Sequence, residues 1–498
     1  MHSLVSLIPV VVFLLAAIGV SVFIRRRNLA GAKDFESEYY IGNRSLGGFV
    51  LAMTTVATYG SVSSFVGGPG QAWSIGFGWV YMAAVQVTAL LLLYGILGKK
   101  LALISRRINA LTIVDVIRHR FQSNALAVVS AGIIVLFFAS TMIAQFVGGA
   151  KLFASVTGYS YETGLIIFGV ASILFTVIGG FRGVALTDAL CGIVMLVGIV
   201  ILAGGILNAG GGYQAIMTTI SANHPEMLDP LSGGNMPVGL YFTQWLLVGV
   251  LTFCLPQSAV RCIGAKNAQS MNRAMIIGTV AIGFMMIFST SLGVLSAGIL
   301  TGDLQSYGGS VDNIIPTAIA SSLSPAMAGI AIVGPLAASI STVSSLLIVS
   351  ASAILRDVYQ NLREASAAKN GREYHKDEKD VGRASQLITL AVGAVVFFLA
   401  LVPPDVIWKI NMFAFGGLET AFCWTLVMGL FWKRATKTGA LLSMVGGTLA
   451  YCICMYLGIK FMGLHQITIG ISVALVLMVV GSLASKPQSQ EHLKVYFG

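Results

Sequence analysis

Residues 57–70 have the sequence Ala57-Thr58-Tyr59-Gly60-Ser61-Val62-Ser63-Ser64-Phe65-Val66-Gly67-Gly68-Pro69-Gly70 and lie inside a long apolar stretch. The run is rich in β-branched and hydroxyl residues and contains Gly60 among them, and these residue types weaken a helix. A membrane helix satisfies its own backbone, so a break is tolerated only where it is buried in protein or lines a cavity. This stretch therefore predicts a broken membrane helix beside a binding site.

The composition of the whole chain supports a membrane protein. Of the 498 residues, 56% are hydrophobic and 10% are charged, whereas about 25% are charged in an average soluble protein. Glycine is abundant at 57 residues, and small residues let membrane helices approach closely. We therefore predict an all-α polytopic membrane protein, a single transmembrane unit over residues 1–498. A soluble enzyme, a secreted disulfide scaffold and a nucleic-acid-binding domain are excluded.

Thirteen apolar segments are each near or above the roughly 20 residues that cross a bilayer. They are residues 3–24, 46–73, 74–98, 122–150, 160–180, 184–207, 237–262, 272–300, 323–355, 384–402, 406–431, 438–459 and 464–484. With these spans, every lysine and arginine except Lys151, Lys409 and Lys460 falls on one side. Because basic residues accumulate in the cytoplasm, we predict that the N-terminus lies outside the cell and the C-terminus in the cytoplasm.

A second interruption is predicted in the seventh span, which contains Phe253-Cys254-Leu255-Pro256-Gln257-Ser258. Proline removes a backbone donor and clashes with the preceding turn. Paired breaks at corresponding places in two halves indicate a transport site. They predict two five-helix repeats, residues 46–207 and 237–431, with an extra helix at 3–24, two more within 438–484, and a cytoplasmic tail at 485–498. We also expect the Cys254 thiol to border a water-filled cavity.

Motifs that the chain lacks narrow its function. It has no GxxxxGK[ST] sequence, no HExxH sequence and no CxxC pair among its six cysteines. We therefore expect no ATP hydrolysis, no enzyme activity and no organic cofactor. A transporter is favoured over a receptor, and a receptor over an enzyme.

Several segments resemble the sodium/solute symporter family. They are residues 38–48 and 65–70, residues 179–182 with Asp188, residues 256–262, residues 429–434 and residues 439–447. The likeness extends from about residue 5 to residue 484. Within the family, the overall likeness is to carriers of pantothenate.

The resemblance implies a leucine-transporter-like inverted repeat with a sodium site between the second and ninth spans. The implied ligands are the carbonyl groups of Ala57, Gly60 and Ala338 and the hydroxyl groups of Ser341 and Thr342. Gly60 departs from the family, which usually has a large apolar residue there. Without the family likeness, Ser341 and Thr342 would be interpreted as hydroxyls that bond to their own helix.

Two charged residues, Asp188 and Arg261, are predicted to lie near the cytoplasmic side. Asp188 is interpreted either as a cap at the N-terminus of the sixth span or, from the resemblance, as a waypoint for sodium leaving its site. Arg261 is expected to mark the cytoplasmic end of its helix.

Candidate solute contacts follow the two breaks, because free N–H groups at a helix N-terminus bind anions. They are Ser61, Ser63, Ser64 and Phe65 after the first break, Gln257 and Ser258 after the second, and Thr141 and Gln145 on the fourth span. Glu419 lies deep in the eleventh span, where a carboxylate costs roughly 2.5–3.5 kcal/mol. Glu419 is expected either to accept hydrogen bonds from solute hydroxyls or to be protonated and structural.

Together these features predict a multi-pass symporter of the cytoplasmic (inner) membrane that couples sodium to the import of a small organic solute, and the resemblance implies that the solute is pantothenate. Its partners are then the solute, Na⁺ as coupling ion and the lipid bilayer, without ATP or nucleic acid. Three alternatives stay open: a different solute, proton coupling through Glu419 or Asp188, and a transporter-shaped sensor.

Overall fold

The computed structural model describes residues 4–28, 35–370, 378–402 and 405–498, and these residues form helices and short connections without a β-strand. Ser3, the first residue of the first predicted span, lies outside the described residues. The α-helices are α1 (Leu4–Asn28), α2 (Phe35–Ile41), α3 (Gly48–Tyr59), α4 (Gly68–Ile75), α5 (Phe77–Ala84), α6 (Thr88–Leu92), α7 (Lys99–Arg107), α8 (Ile113–Phe121), α9 (Asn124–Thr157), α10 (Tyr161–Ala209), α11 (Tyr213–Asn223), α12 (Val238–Trp245), α13 (Pro256–Gly264), α14 (Ala268–Ser296), α15 (Ile314–Ser322), α16 (Pro325–Ala331), α17 (Val333–Ser352), α18 (Asn361–Lys369), α19 (Glu378–Leu399), α20 (Ile407–Phe431), α21 (Lys437–Tyr456), α22 (Ile467–Leu483) and α23 (Gln490–Phe497).

The membrane-spanning helices agree with the predicted spans. Among the described residues, eleven helical segments are long and apolar enough to cross a membrane, and a twelfth is the bent pair of α3 and residues Ser63–Ile75. The shorter apolar helix α22 occupies the place of the thirteenth span. The all-helical polytopic fold is thus confirmed, whereas the repeat boundaries and the orientation across the membrane stay predictions.

The centre of the bundle is α17, in which every residue is buried. It alternates aliphatic residues with serines on all sides, and a membrane helix of this kind packs against other helices rather than lipid. It contacts α3, α9 and α10. Any site built on α17 is therefore enclosed by protein.

The first predicted break is confirmed. Helix α3 ends at Tyr59, Gly60 adopts an extended conformation with ψ 106°, and the two half-helices meet at 63°. A short π-helix, Ser63–Gly67, leads into α4. The break leaves the Val62 N–H without a partner in its own helix, and this N–H instead donates to Gln145 Oε1 of another span at 2.9 Å.

The second predicted break is also confirmed. The seventh span changes to a 3₁₀ turn at Leu251–Cys254, Leu255 is extended with ψ 129°, and α13 begins at Pro256. Proline suits the first turn of a helix, where its missing N–H is not needed. The expectation for Cys254 is wrong in this conformation, because the side chain is fully buried and its thiol lies 3.9 Å from the Cys423 carbonyl.

The fifth and sixth spans are the two halves of α10, Tyr161–Phe181 and Gly183–Ala209, which meet at a non-helical kink at Gly180. Gly180 has φ +58°, and a Cβ there would lie 2.7 Å from the Tyr39 ring. Only glycine meets both requirements at low cost. The kink redirects the second half of α10, which carries Asp188, across α3 and α17.

The predicted tail contains a docked helix, α23. Tyr496 Oη lies 2.7 Å from His119 Nδ1 on α8, and the His119 and His492 rings stack at 5.2 Å. The Phe497 ring lies 4.6 Å from Lys100 Nζ and 5.8 Å from Lys433 Nζ. Helix α23 therefore links the ends of several helices, on the side predicted to be cytoplasmic, by polar and cation–π contacts.

We expect this docking to weaken at acid pH. Burial, together with His492 and Arg118, lowers the pKa of His119 below its ordinary value of 6.5. The docked state therefore favours neutral His119, and its stability is lost progressively as the pH falls below about 6.5. A spin label at the exposed position 494 (Lys494→Cys, native cysteines removed) should become more mobile between pH 7.5 and 5.5. His119→Gln should remove most of this pH dependence; an unchanged profile in that variant would contradict the assignment.

Candidate ion and solute site

The predicted sodium ligands lie where α17 passes the break of α3. Thr342 Oγ1 is 2.9 Å from the Ala338 carbonyl and 3.5 Å from the Thr58 carbonyl at the end of α3. The Ser341 hydroxyl is buried, makes no hydrogen bond of ordinary geometry and lies beside the Asp188 carboxylate. A hydroxyl that lies between a carboxylate and a broken helix is a suitable ligand for a cation. Neutral oxygens from two helices are the donors that a hard cation prefers.

The site also explains the unusual Gly60. A Cβ at Gly60 would lie 2.4 Å from the Met285 methyl carbon and 2.6 Å from its sulfur. The space that a large apolar residue would need at position 60 is therefore taken by Met285 of α14. Gly60 and Met285 thus form an exchange of side-chain volume between two helices, in which a small residue on one helix makes room for a large residue on the other. The glycine also leaves the backbone flexible at position 60.

A compensating pair of substitutions tests this exchange. We expect Gly60→Leu to clash with Met285 and to lower the free energy of unfolding by about 1–3 kcal/mol, the usual cost of overpacking. Adding Met285→Ala should restore most of the loss. Thermal unfolding of the purified variants in detergent measures both effects, with Met286→Ala as the control on the same helix. No recovery in the double variant would contradict the exchange.

A second polar cluster lies about one turn from the sodium ligands. Asp188 Oδ2 accepts hydrogen bonds from Thr54 Oγ1 at 2.9 Å and from Ser345 Oγ at 3.5 Å. Arg261 Nη2 lies 3.4 Å from the same oxygen, 2.7 Å from Ser345 Oγ, and within hydrogen-bonding contact of Thr58 Oγ1. All five side chains are buried, so the ion pair is shielded from water.

This cluster corrects one expectation and adds to another. Asp188 is not a helix cap, because α10 continues through it and its side chain has no exposed surface. Arg261 lies in the last turn of α13, as expected, but only 1% of it is exposed and it pairs with Asp188. The pairing could not be predicted because the two charges lie 73 residues apart in the sequence. The role of Asp188 in ion passage stays a prediction.

The sequence contained a signal for this cluster that composition alone does not reveal. Thr54 and Thr58 are four residues apart on α3, and Ser341 and Ser345 are four residues apart on α17. Residues at this spacing lie on one helix face. Two hydroxyl pairs that face each other beside a buried acid therefore indicate a polar interface between α3 and α17.

The candidate solute residues have different surroundings. The Gln145 side chain already accepts a hydrogen bond from the Val62 N–H of the broken helix, and the Thr141 hydroxyl donates to the Phe137 carbonyl of its own helix. Ser61, Phe65 and Ser258 are buried, and Ser64 is partly buried. Buried oxygens without partners remain on three of the predicted residues, namely Ser63 Oγ, Gln257 Oε1 and both carboxyl oxygens of Glu419.

Asn411 is a residue that the sequence did not suggest. It is 2% exposed, its Oδ1 has no hydrogen-bond partner, and it lies two turns before Glu419 on α20. The start of α20 packs on the first break, because a Cβ at Gly67 would lie 3.2 Å from the Trp408 backbone nitrogen. Unpartnered oxygens on α20 and on both breaks mark these elements as the candidate lining of the solute site.

The end of the bundle opposite Arg261 is closed by aromatic and ionic contacts. Trp79 and Trp408 pack edge to face with ring centroids 4.9 Å apart. Lys151 Nζ lies 2.9 Å from Asp312 Oδ2, and that oxygen also accepts the Ile407 N–H at 3.1 Å. Opening this end therefore requires separation of a buried carboxylate from its partners.

Comparisons with known proteins identify relatives of the chain. The chain is 38% identical to the sodium/pantothenate symporter of Haemophilus influenzae over 98% of each chain, and 38% identical to that of Escherichia coli over 96% of each chain. It is 29% identical to the sodium/proline symporter of Escherichia coli over 92% of this chain and 89% of the relative.

Solved structures share the fold. A Na⁺-coupled sialic acid symporter in a substrate-bound, outward-open state superposes with a TM-score of 0.79 at 18% identity, covering 98% of this chain and 100% of that chain. A nucleobase-cation-symport-1 family transporter superposes with a TM-score of 0.58 at 14% identity, covering 92% of this chain and 98% of that one. The sequence profile of the Sodium:solute symporter family matches residues 39–447. The chain therefore belongs to the sodium:solute symporter family.

Proposed function

We propose that the protein is a sodium-coupled symporter that imports pantothenate across the cytoplasmic membrane. The observation that carries the proposal is 38% identity to two sodium/pantothenate symporters over nearly the full length of each chain, against 29% to a sodium/proline symporter. Two broken helices meeting in a buried polar centre support alternating access around one site.

In this proposal sodium is bound by the carbonyls of Ala57, Gly60 and Ala338 and by the hydroxyls of Ser341 and Thr342. The buried Ser341 hydroxyl beside the Asp188 carboxylate and the 3.5 Å approach of Thr342 to the Thr58 carbonyl support this placement. Ligands from two separate helices bring those helices together when the ion binds. Binding of sodium would thus stabilise the state in which the break is held against α17.

Pantothenate has a carboxylate at one end and hydroxyls at the other, and the lining offers a partner for each. We place the carboxylate at the helix starts that follow the breaks, near Ser63 and Gln257, where free N–H groups favour an anion. We place the hydroxyls at Glu419, whose carboxyl oxygens lack partners. A hydroxyl that donates there would satisfy an oxygen that is otherwise costly to bury.

Displacement measurements test the identity of the solute. Purified protein should bind labelled pantothenate only in the presence of sodium, and unlabelled pantothenate should displace it while proline does not. Glu419→Gln should weaken pantothenate binding more than binding of an analogue that lacks the hydroxyls, since a site built for hydroxyls discriminates by them. Displacement by proline, or equal weakening for both compounds, would contradict the assignment.

We expect more than one cation to move with each pantothenate. A membrane potential of 100 mV is worth about 2.3 kcal/mol per charge, and an assumed tenfold sodium gradient is worth about 1.4 kcal/mol. A monoanion moving with one sodium carries no net charge and gains only about tenfold accumulation. With two sodium ions the drive is roughly 5 kcal/mol, or several thousandfold. Uptake that is insensitive to voltage, with a 1:1 flux ratio, would contradict a second cation.

A further inference from the structure

A concave apolar groove lies on the outside of the bundle, between α3, the second half of α10, and α14. Its volume is about 820 Å³, and all of its lining side chains are apolar. The lining includes Phe49, Met53, Val197, Val200, Ile276 and Val280. The groove therefore follows three helices that meet at the broken span.

The groove is open on its outer side and closed at its base. Val280 is 71% exposed and Ile276 is 64% exposed, whereas Met53 is buried. The base is tight because Gly192 of α10 faces α3, where an added Cβ would lie 3.3 Å from the Met53 carbonyl. In a bilayer such a surface contacts hydrocarbon, and an unfilled groove would lose the dispersion contacts of its walls.

One end of the groove carries an unpaired charge. Arg273 is exposed and makes no hydrogen bond or ion pair with any residue that the structure describes. It precedes Ile276 and Ile277 by one turn on the same face of α14. Its Cβ lies 2.7 Å from the position of a Cβ at Gly48, next to Phe49. The base of the Arg273 side chain therefore lies next to the start of α3, at the end of the groove on the predicted cytoplasmic side.

The length of the groove fits one leaflet. From Arg273 to Phe284, the last lining residue of α14, the helix rises about 16 Å at 1.5 Å per residue. Half of a hydrocarbon core of about 30 Å is 15 Å. We propose that the groove binds one acyl chain of an anionic phospholipid whose phosphate pairs with Arg273.

This lipid would stabilise the position of α3, the helix that ends at the proposed ion site. Met53 lies at the base of the groove, and the next residue, Thr54, donates to Asp188 at 2.9 Å inside the bundle. The bound chain and the polar cluster thus lie on opposite sides of α3. A ligand that fits one position of α3 stabilises that position relative to others.

Native mass spectrometry of the full-length protein, extracted from bilayers of phosphatidylcholine and phosphatidylglycerol, tests the proposal. The wild type should retain one phosphatidylglycerol in preference to phosphatidylcholine. Val280→Trp should fill the groove and reduce the retained lipid. Arg273→Gln should lower the preference for the anionic lipid about fivefold, since a basic residue at the surface is worth roughly 1 kcal/mol.

Matched controls separate the groove from the general lipid surface. Leu387→Trp changes a side chain that is 65% exposed on α19, and Lys437→Gln removes an exposed cation at the start of α21. Both should behave as the wild type, and all variants should keep the thermal stability of the wild type. Equal lipid retention by Val280→Trp and the wild type, or equal loss of preference in Arg273→Gln and Lys437→Gln, would overturn the proposal.

Discussion

Replacement of Arg261 by Met is expected to destabilise the protein by about 3–5 kcal/mol, which is the cost of leaving one member of a buried ion pair uncompensated. Asp188 and Arg261 are 0% and 1% exposed, and Arg261 also donates to Ser345 at 2.7 Å. Loss of the guanidinium therefore leaves a carboxylate without its charge partner in the centre of the bundle. Thermal unfolding of purified protein measures the change.

Two further variants show whether the destabilisation comes from breaking the ion pair or from losing a long side chain. Arg273→Met removes an exposed arginine without partners and should leave the unfolding temperature unchanged. Asp188→Leu combined with Arg261→Met replaces the pair by apolar side chains, which is often neutral for stability, so most of the stability should return. If the double variant is as unstable as Arg261→Met, the uncompensated charge is not the cause.

Removal of the hydroxyl of Thr342 should weaken the coupling to sodium. A ligand to a charged group contributes on the order of 1.5–3 kcal/mol, so we expect the sodium concentration for half-maximal uptake to rise about ten- to hundredfold in Thr342→Ala. Ser341→Ala should raise it as well, because the substitution removes a buried oxygen next to the break of α3. The measurement is the initial uptake rate as a function of sodium at constant ionic strength.

Ser350 of the same helix is the matched control. Its hydroxyl is also buried, but it lies nine residues beyond Ser341, far from the break of α3. Ser350→Ala should keep the sodium dependence of the wild type. An unchanged sodium dependence in both Ser341→Ala and Thr342→Ala would remove these residues from the ion shell.

The fold was largely predictable because membrane spans leave strong local signals. Long apolar segments set the spans, and the glycine and hydroxyl residues near Gly60 and the proline at Pro256 marked both breaks. These features act through the backbone of a single helix, so no knowledge of distant contacts is needed to find them.

The remaining parts depend on contacts between distant segments. Arg261 is buried next to Asp188, which lies beyond the kink at Gly180 on another helix. Likewise, Gly60 is explained by Met285 of another helix, and the docking of α23 depends on His119. Neither charge nor hydropathy along the chain specifies which residues meet, so these features required the structure.

Uptake into vesicles under an imposed sodium gradient tests the central claim most directly. Proteoliposomes that contain the purified protein should accumulate labelled pantothenate above the external concentration when sodium is high outside. Accumulation should stop when the gradient is collapsed, and Thr342→Ala should need about ten- to hundredfold more sodium for the same rate. Uptake of the same size without sodium, or binding of pantothenate without accumulation, would contradict sodium-coupled import.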